Sequence, residues 1–172
     1  MNSVYMTIRL YLKGNDMNKR MGKILAVVVI ASGINHQVMA ECFDLKGKML
    51  SSNINATTQL GTIELVSGGG EWEGGILGQI TSSNTSSLPI VTYLDHTVVF
   101  PGKGSLFTHN DVAQLEPVPN DACTFKAKEQ LNIVMGTGKF NGASGTGTAI
   151  GTVNFCTGTN KFYISASVCT NP

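Results

Sequence analysis

Two ionisable side chains stand where a pattern of apolar residues points inward. In T-F-K-A-K-E-Q-L-N-I-V, Thr124 to Val134, Phe125, Ala127, Leu131 and Ile133 share one face of a strand, and Lys126, Lys128, Gln130 and Asn132 share the other. Strict alternation places Glu129 with the apolar set. A carboxyl there is desolvated, its pKa rises, and it can act as an acid–base group in a pocket, which makes Glu129 the candidate catalytic residue. The plainer account is a bulge that shifts the register, or a wet barrel mouth. His96 likewise shares the face of Leu94, Val98 and Phe100. A lone histidine on an apolar face is usually a satisfied core residue, and its alternative role is contact with a bound ligand. Trp72, between Glu71 and Glu73, is a third candidate for ligand contact: a mouth-lining aromatic, or a simple hydrophobic lid.

Other chemistries find less support. T-H-N-D, Thr108 to Asp111, groups His109 and Asp111 on an expected solvated turn, with no further ligand nearby in sequence, so no metal site and no cofactor are expected. No Ser stands in G-x-S-x-G. The run I-V-M-G-T-G-K-F-N-G-A-S-G-T-G, Ile133 to Gly147, is glycine-rich and holds a lysine, which raises the question of a phosphate cradle. The dinucleotide pattern G-x-G-x-x-G fails because Asn141 replaces the third glycine and no helix pattern follows. The P-loop pattern fails because Phe140 follows Gly138-Lys139. A corner fits better: the loop folds over one end of the molecule and inserts Phe140 as a plug. Gly136, Gly138, Gly142, Ala143 and Gly145 then allow close passage of the chain.

The elements that must position these residues are strands. Apolar or β-branched runs separated by turn residues predict strands over Phe43–Asn53, Thr58–Val66, Gly74–Ser82, Ile90–Phe100, Ser105–Thr108 continuing irregularly to Val118, Thr124–Val134, Thr146–Phe155 and Lys161–Val168. Eight short strands with short turns predict an all-β, eight-stranded antiparallel up-and-down barrel, with a two-sheet sandwich as the competitor. If Thr124–Val134 pairs with Thr146–Phe155, Cys123 and Cys156 fall near one end of that hairpin. Cys156 and Cys169 lie towards opposite ends of the next, beyond the reach of a disulfide. The expected bridges are therefore Cys123–Cys156 and Cys42–Cys169, the second joining the first strand to the last.

Four cysteines in an even set, none in C-x-x-C, fit an exported chain. The N-terminus agrees. Lys19, Arg20 and Lys23 precede the apolar run Ile24 to Ile34, and V-M-A, Val38 to Ala40, has a signal peptidase's small residues. The run is too short to cross a bilayer, which needs about 20 apolar residues. Residues 1–40 are thus expected to be a cleaved signal peptide, with Met17 an alternative start, and 41–172 a single secreted or periplasmic domain without stable membrane insertion. That domain carries seven basic and ten acidic side chains, a net charge of −3, which excludes an electrostatic footprint for nucleic acid.

The order L-x-I, Leu131 to Ile133, then G-T-G-x-F-x-G-A-x-G, Gly136 to Gly145, then a strand, resembles the allene oxide cyclase barrel superfamily. That superfamily also takes in dirigent proteins and small exported bacterial proteins. The likeness spans about residues 124–169, with a weaker echo over Gly104 to Asp111, and Met135 departs from the glycine common there. The resemblance implies an eight-stranded barrel, often a homo-oligomer, with a pocket at one mouth. The cyclase's catalytic groups lie outside the matching segment, so none carries over. The expected role is binding of a small apolar molecule in the barrel mouth. The alternatives are an isomerase or cyclase that steers ring closure with Glu129, and a packed structural or surface-interaction barrel.

Overall fold

The computed structural model describes residues 40–68 and 70–170; all but Ala40 of the expected export signal lies outside them. The described residues form nine strands and one 3-10 turn: β1 Glu41–Asn53, β2 Thr58–Ser67, β3 Gly70–Asn84, β4 Ile90–Phe100, β5 Gly104–Thr108, β6 Asp111–Val118, β7 Asp121–Gly136, the turn Gly138–Phe140, β8 Ala143–Asn154 and β9 Thr159–Thr170. Each sequence neighbour pairs antiparallel with the next, except around β5 and β6. Both of those short strands pair with β4 on one side and β7 on the other. They are therefore one stave, interrupted at His109 and Asn110. The ladder between β1 and β9 runs from Glu41–Thr170 to Ser52–Thr159 and closes the circle. The result is an eight-stave, up-and-down barrel, not two stacked sheets.

The alternation read from the sequence decides what lies inside. Outward residues of β7, Lys126, Lys128, Gln130 and Asn132, are exposed, whereas Ala127, Glu129 and Ile133 are buried. One end of the barrel is shut by aromatic rings from four segments: Phe43, Trp72, Phe100 and Phe140. Phe140 is 0% exposed, and its ring centroid lies 5.3 Å from Trp72 and 5.7 Å from Phe100. The plug read from the glycine loop is thus in place. Gly136 is required there, because a Cβ on it would sit 2.3 Å from the Phe140 carbonyl oxygen. Gly138 and Gly142 take left-handed φ values of 62° and 68°, which lets the chain double back tightly. The far end is narrower in chemistry: Asn160 donates to Ser51 Oγ at 3.1 Å and to Asn53 Oδ1 at 2.9 Å, tying β9 to β1.

Both disulfides pair as expected, Cys42 with Cys169 and Cys123 with Cys156, and no cysteine is free. Two bridges in a small domain mark a chain that folds in an oxidising compartment. Cys42 faces Cys169 directly across the closing ladder, so this bridge staples the seam.

Two outcomes test the architecture. Phe140→Ala should lower unfolding free energy by about 3–5 kcal/mol, the cost of removing a fully buried phenylalanine. Losing Cys42–Cys169, which spans 127 residues, should destabilise more than losing Cys123–Cys156, which spans 33, by roughly 1 kcal/mol from loop entropy. Urea denaturation of the two paired Cys→Ser variants measures the difference. An equal loss would mean that the seam holds without its staple.

Candidate functional site

The interruption of the β5/β6 stave builds the site. Regular pairing with β4 stops between Leu94 and Thr97, and pairing with β7 stops between Gln130 and Ile133. Asn110 takes a left-handed φ of 55° at the break, a conformation asparagine tolerates better than most residues. The missing ladder leaves neighbouring backbone amides to be satisfied by side chains. The His96 N–H donates to Thr108 Oγ1 at 2.8 Å, and the Asn132 N–H donates to Asp111 Oδ1 at 2.7 Å. Burying either amide unpaired would be costly, so Thr108 and Asp111 are held where they are by the backbone's own demand.

Asp111 therefore departs from the expected solvated turn. It is 0% exposed, and its second oxygen faces the barrel interior. Oδ2 lies 2.8 Å from His96 Nδ1 and accepts from the Thr108 hydroxyl. His109 does occupy the solvated side: it is exposed and sits 3.1 Å from Asp95 Oδ1, which also takes the Asn110 N–H at 2.8 Å. A salt bridge this exposed contributes little to stability.

Glu129 completes the group. It is 3% exposed, at mid-strand, so neither a bulge nor a wet mouth accounts for it. Its cross-strand neighbours are Ala113 on β6 and Ala149 on β8, whose small side chains leave room beside the carboxyl. Glu129 Oε1 lies 3.5 Å from His96 Nδ1 and has no hydrogen-bond partner among the described residues. The His96 ring fits because position 78 on β3 has no side chain: a Cβ there would meet the ring at 3.1 Å. His96, Asp111 and Glu129 thus converge, with donor atoms all within 4.8 Å of one another. This corrects the expectation that no further ligand stands near Asp111. The fold supplies them from β4 and β7.

Burial raises the Glu129 carboxyl; His96 pulls it back and Asp111 pushes it further, leaving it at about 7. For His96, burial acts to lower the pKa. The hydrogen bond to Asp111 and the charges of Glu129, Asp111 and Asp95 outweigh burial, so the imidazole ends above its ordinary value.

His96 and Glu129, but not Asp111, border a cavity of about 50 Å³ within the barrel. Leu45, Met49, Ile63, Ile76, Val98 and Ile164 line it, with His96, Thr108 and Glu129 as its polar edge. The volume is several times the roughly 10–15 Å³ that one water needs by this measure. The cavity's walls are mainly buried residues of the core. Trp72 does not line it; the structure puts Trp72 in the aromatic plug, with Lys103 Nζ 5.1 Å above its ring.

Fold and site together define a small, disulfide-stapled up-and-down barrel with a buried His–Asp–Glu group, of which His96 and Glu129 line an apolar cavity. Comparison of the chain with protein-family models, with curated proteins and with solved structures finds no match.

The three residues should differ in what they cost the fold. Asp111→Asn breaks a buried pair and should destabilise by about 3–5 kcal/mol. Glu129→Met removes an unpartnered carboxyl from an apolar wall and should be neutral or stabilising by about 1–3 kcal/mol. Urea midpoints at constant m-value provide the comparison. A Glu129→Met loss as large as that of Asp111→Asn would show that Glu129 is a structural partner.

Proposed function

We propose that the protein is exported, to the periplasm or the exterior, and that its barrel holds a small, largely apolar molecule with one polar group. The carrying observation is the unpartnered Glu129 Oε1 on the wall of a cavity that is otherwise apolar. A buried polar atom without a partner is rare and costly in a protein interior. A ligand hydroxyl donating to Glu129, or a carbonyl accepting from its protonated form, with the hydrocarbon part against Met49, Ile76 and Ile164, would supply that partner. The cavity's size limits the occupant to a few heavy atoms unless side chains move aside. Kinship with the allene oxide cyclase barrel superfamily belongs to the same proposal and rests on the loop Gly136 to Gly145. The isomerase or cyclase reading draws on the same carboxyl, placed beside an imidazole that can carry its proton. It requires a larger cavity than binding does.

Short-chain alcohols and ketones, compared with alkanes of equal length, test the binding role. The polar probes should raise the melting temperature in proportion to the logarithm of concentration, and the alkanes should do so less. Ala149→Val, which narrows the space beside Glu129, should abolish the rise. If no probe shifts melting and the protein from its exporting host shows a bare mass by native mass spectrometry, the barrel is a packed structural element.

A further inference from the structure

We propose that His96, Asp111 and Glu129 form a three-ligand site for a divalent transition-metal ion. Two carboxylate oxygens converge on one ring nitrogen: Asp111 Oδ2 at 2.8 Å and Glu129 Oε1 at 3.5 Å from His96 Nδ1. One N–H proton can serve only one of them well. It serves Asp111, and Glu129 Oε1 remains buried with no partner. An ion at the point of convergence satisfies all three atoms at once. Ligand atoms each about 2.0–2.2 Å from one ion lie roughly 3–3.5 Å apart; the two separations to His96 are close to this, and the third pair lies within 4.8 Å.

The surroundings match those of a metal centre. Three adjacent staves, β4, β6 and β7, present one ligand each, so the closed sheet fixes the donors without a flexible loop. Asp111 Oδ1 is already held by the Asn132 N–H at 2.7 Å, and the Thr108 hydroxyl donates to Oδ2. Outer contacts of this kind orient a ligating carboxylate. Two carboxylates and a neutral imidazole balance a doubly charged ion. Coordination exchanges the Nδ1 proton for the metal.

The donor set narrows the metal. Imidazole with carboxylates suits Zn²⁺, Mn²⁺, Fe²⁺ or Co²⁺; thiolate-seeking Cu⁺ has no sulfur here. Ca²⁺ takes six to eight oxygen ligands, more than this group offers. Three protein ligands leave an open coordination position, and the cavity beside Glu129 is where it would face. The site stands whether or not the cavity also holds an organic molecule.

The test uses the untagged, disulfide-bonded protein after chelator treatment, titrated with Zn²⁺ by calorimetry and with Co²⁺ by visible absorption. One equivalent of each should bind, and Co²⁺ should give the intense bands of a low-coordinate centre. Glu129→Gln keeps the side chain's size and exchanges an anionic ligand for a weaker, neutral carbonyl. It should weaken Zn²⁺ by on the order of 100-fold or more, beyond the 10–100-fold typical of an outer contact. His109→Ala, at the exposed neighbour, should leave binding unchanged. Absence of binding would overturn the proposal. So would binding that survives Glu129→Gln, or binding lost with His109→Ala, since either places the ion elsewhere.

Discussion

A β-sheet with one apolar face has two problems, a face to bury and two edges to hide, and closure solves both. In this protein closure depends on the ladder between β1 and β9, which pairs Glu41 through Ser52 with Thr170 through Thr159. No barrel interior exists until the two ends of the chain meet. The Cys42–Cys169 bridge shortens that search by linking the partners across the longest loop the domain contains. Everything described inside follows from that seam: the apolar-walled cavity, the burial of Glu129 and the low-dielectric surroundings of His96.

Closure also explains why one defect has such consequences. In an open sheet, an interrupted edge strand exposes its unpaired amides to water. In a closed barrel the β5/β6 stave has neighbours on both sides, so a two-residue break strands amides on β4 and β7 together. Thr108 and Asp111 flank the break and answer one amide each. The same carboxylate that repairs the β7 side reaches His96 with its other oxygen. A backbone irregularity has been converted into a fixed polar group in the barrel wall. Irregularities at such positions commonly re-aim a side chain in this way.

Much of this was legible from residue order. Period-two alternation in Phe125–Ile133 and Leu94–Phe100 put Glu129 and His96 inward, and the buried positions agree. The offset of Phe140 among glycines announced the plug, and hairpin arithmetic fixed the disulfides. Asp111 was missed because T-H-N-D reads as turn chemistry, and the turn is real. The signal available was one residue further on: Asp111, Ala113 and Leu115 alternate with Val112 and Gln114, so a strand starting at Asp111 has its carboxylate inside. Thr108 escaped notice because its role depends on an amide of another strand, which no local pattern reveals. The sequence leaves Trp72 open between a mouth-lining aromatic and a hydrophobic lid, and its place against Phe140 is that of a lid. Which strand ends meet the loop decides whether such a ring guards an opening or fills it, and that is a tertiary fact.

The members of the buried group are not equal in what the fold asks of them. Asp111 and Thr108 satisfy backbone amides, and His96 is paired with Asp111, so all three have structural reasons to be there. Glu129 has none. It opposes two alanines where leucine or methionine would fill the space and would leave no oxygen unpartnered. Stability alone would have favoured that replacement. The polar contact of Glu129, to His96 Nδ1 at 3.5 Å, is too long to satisfy Oε1, so burial of the carboxyl is only partly offset within the fold. Ala113 and Ala149 flank Glu129 across both ladders, and Ala149 shares the cavity wall with it.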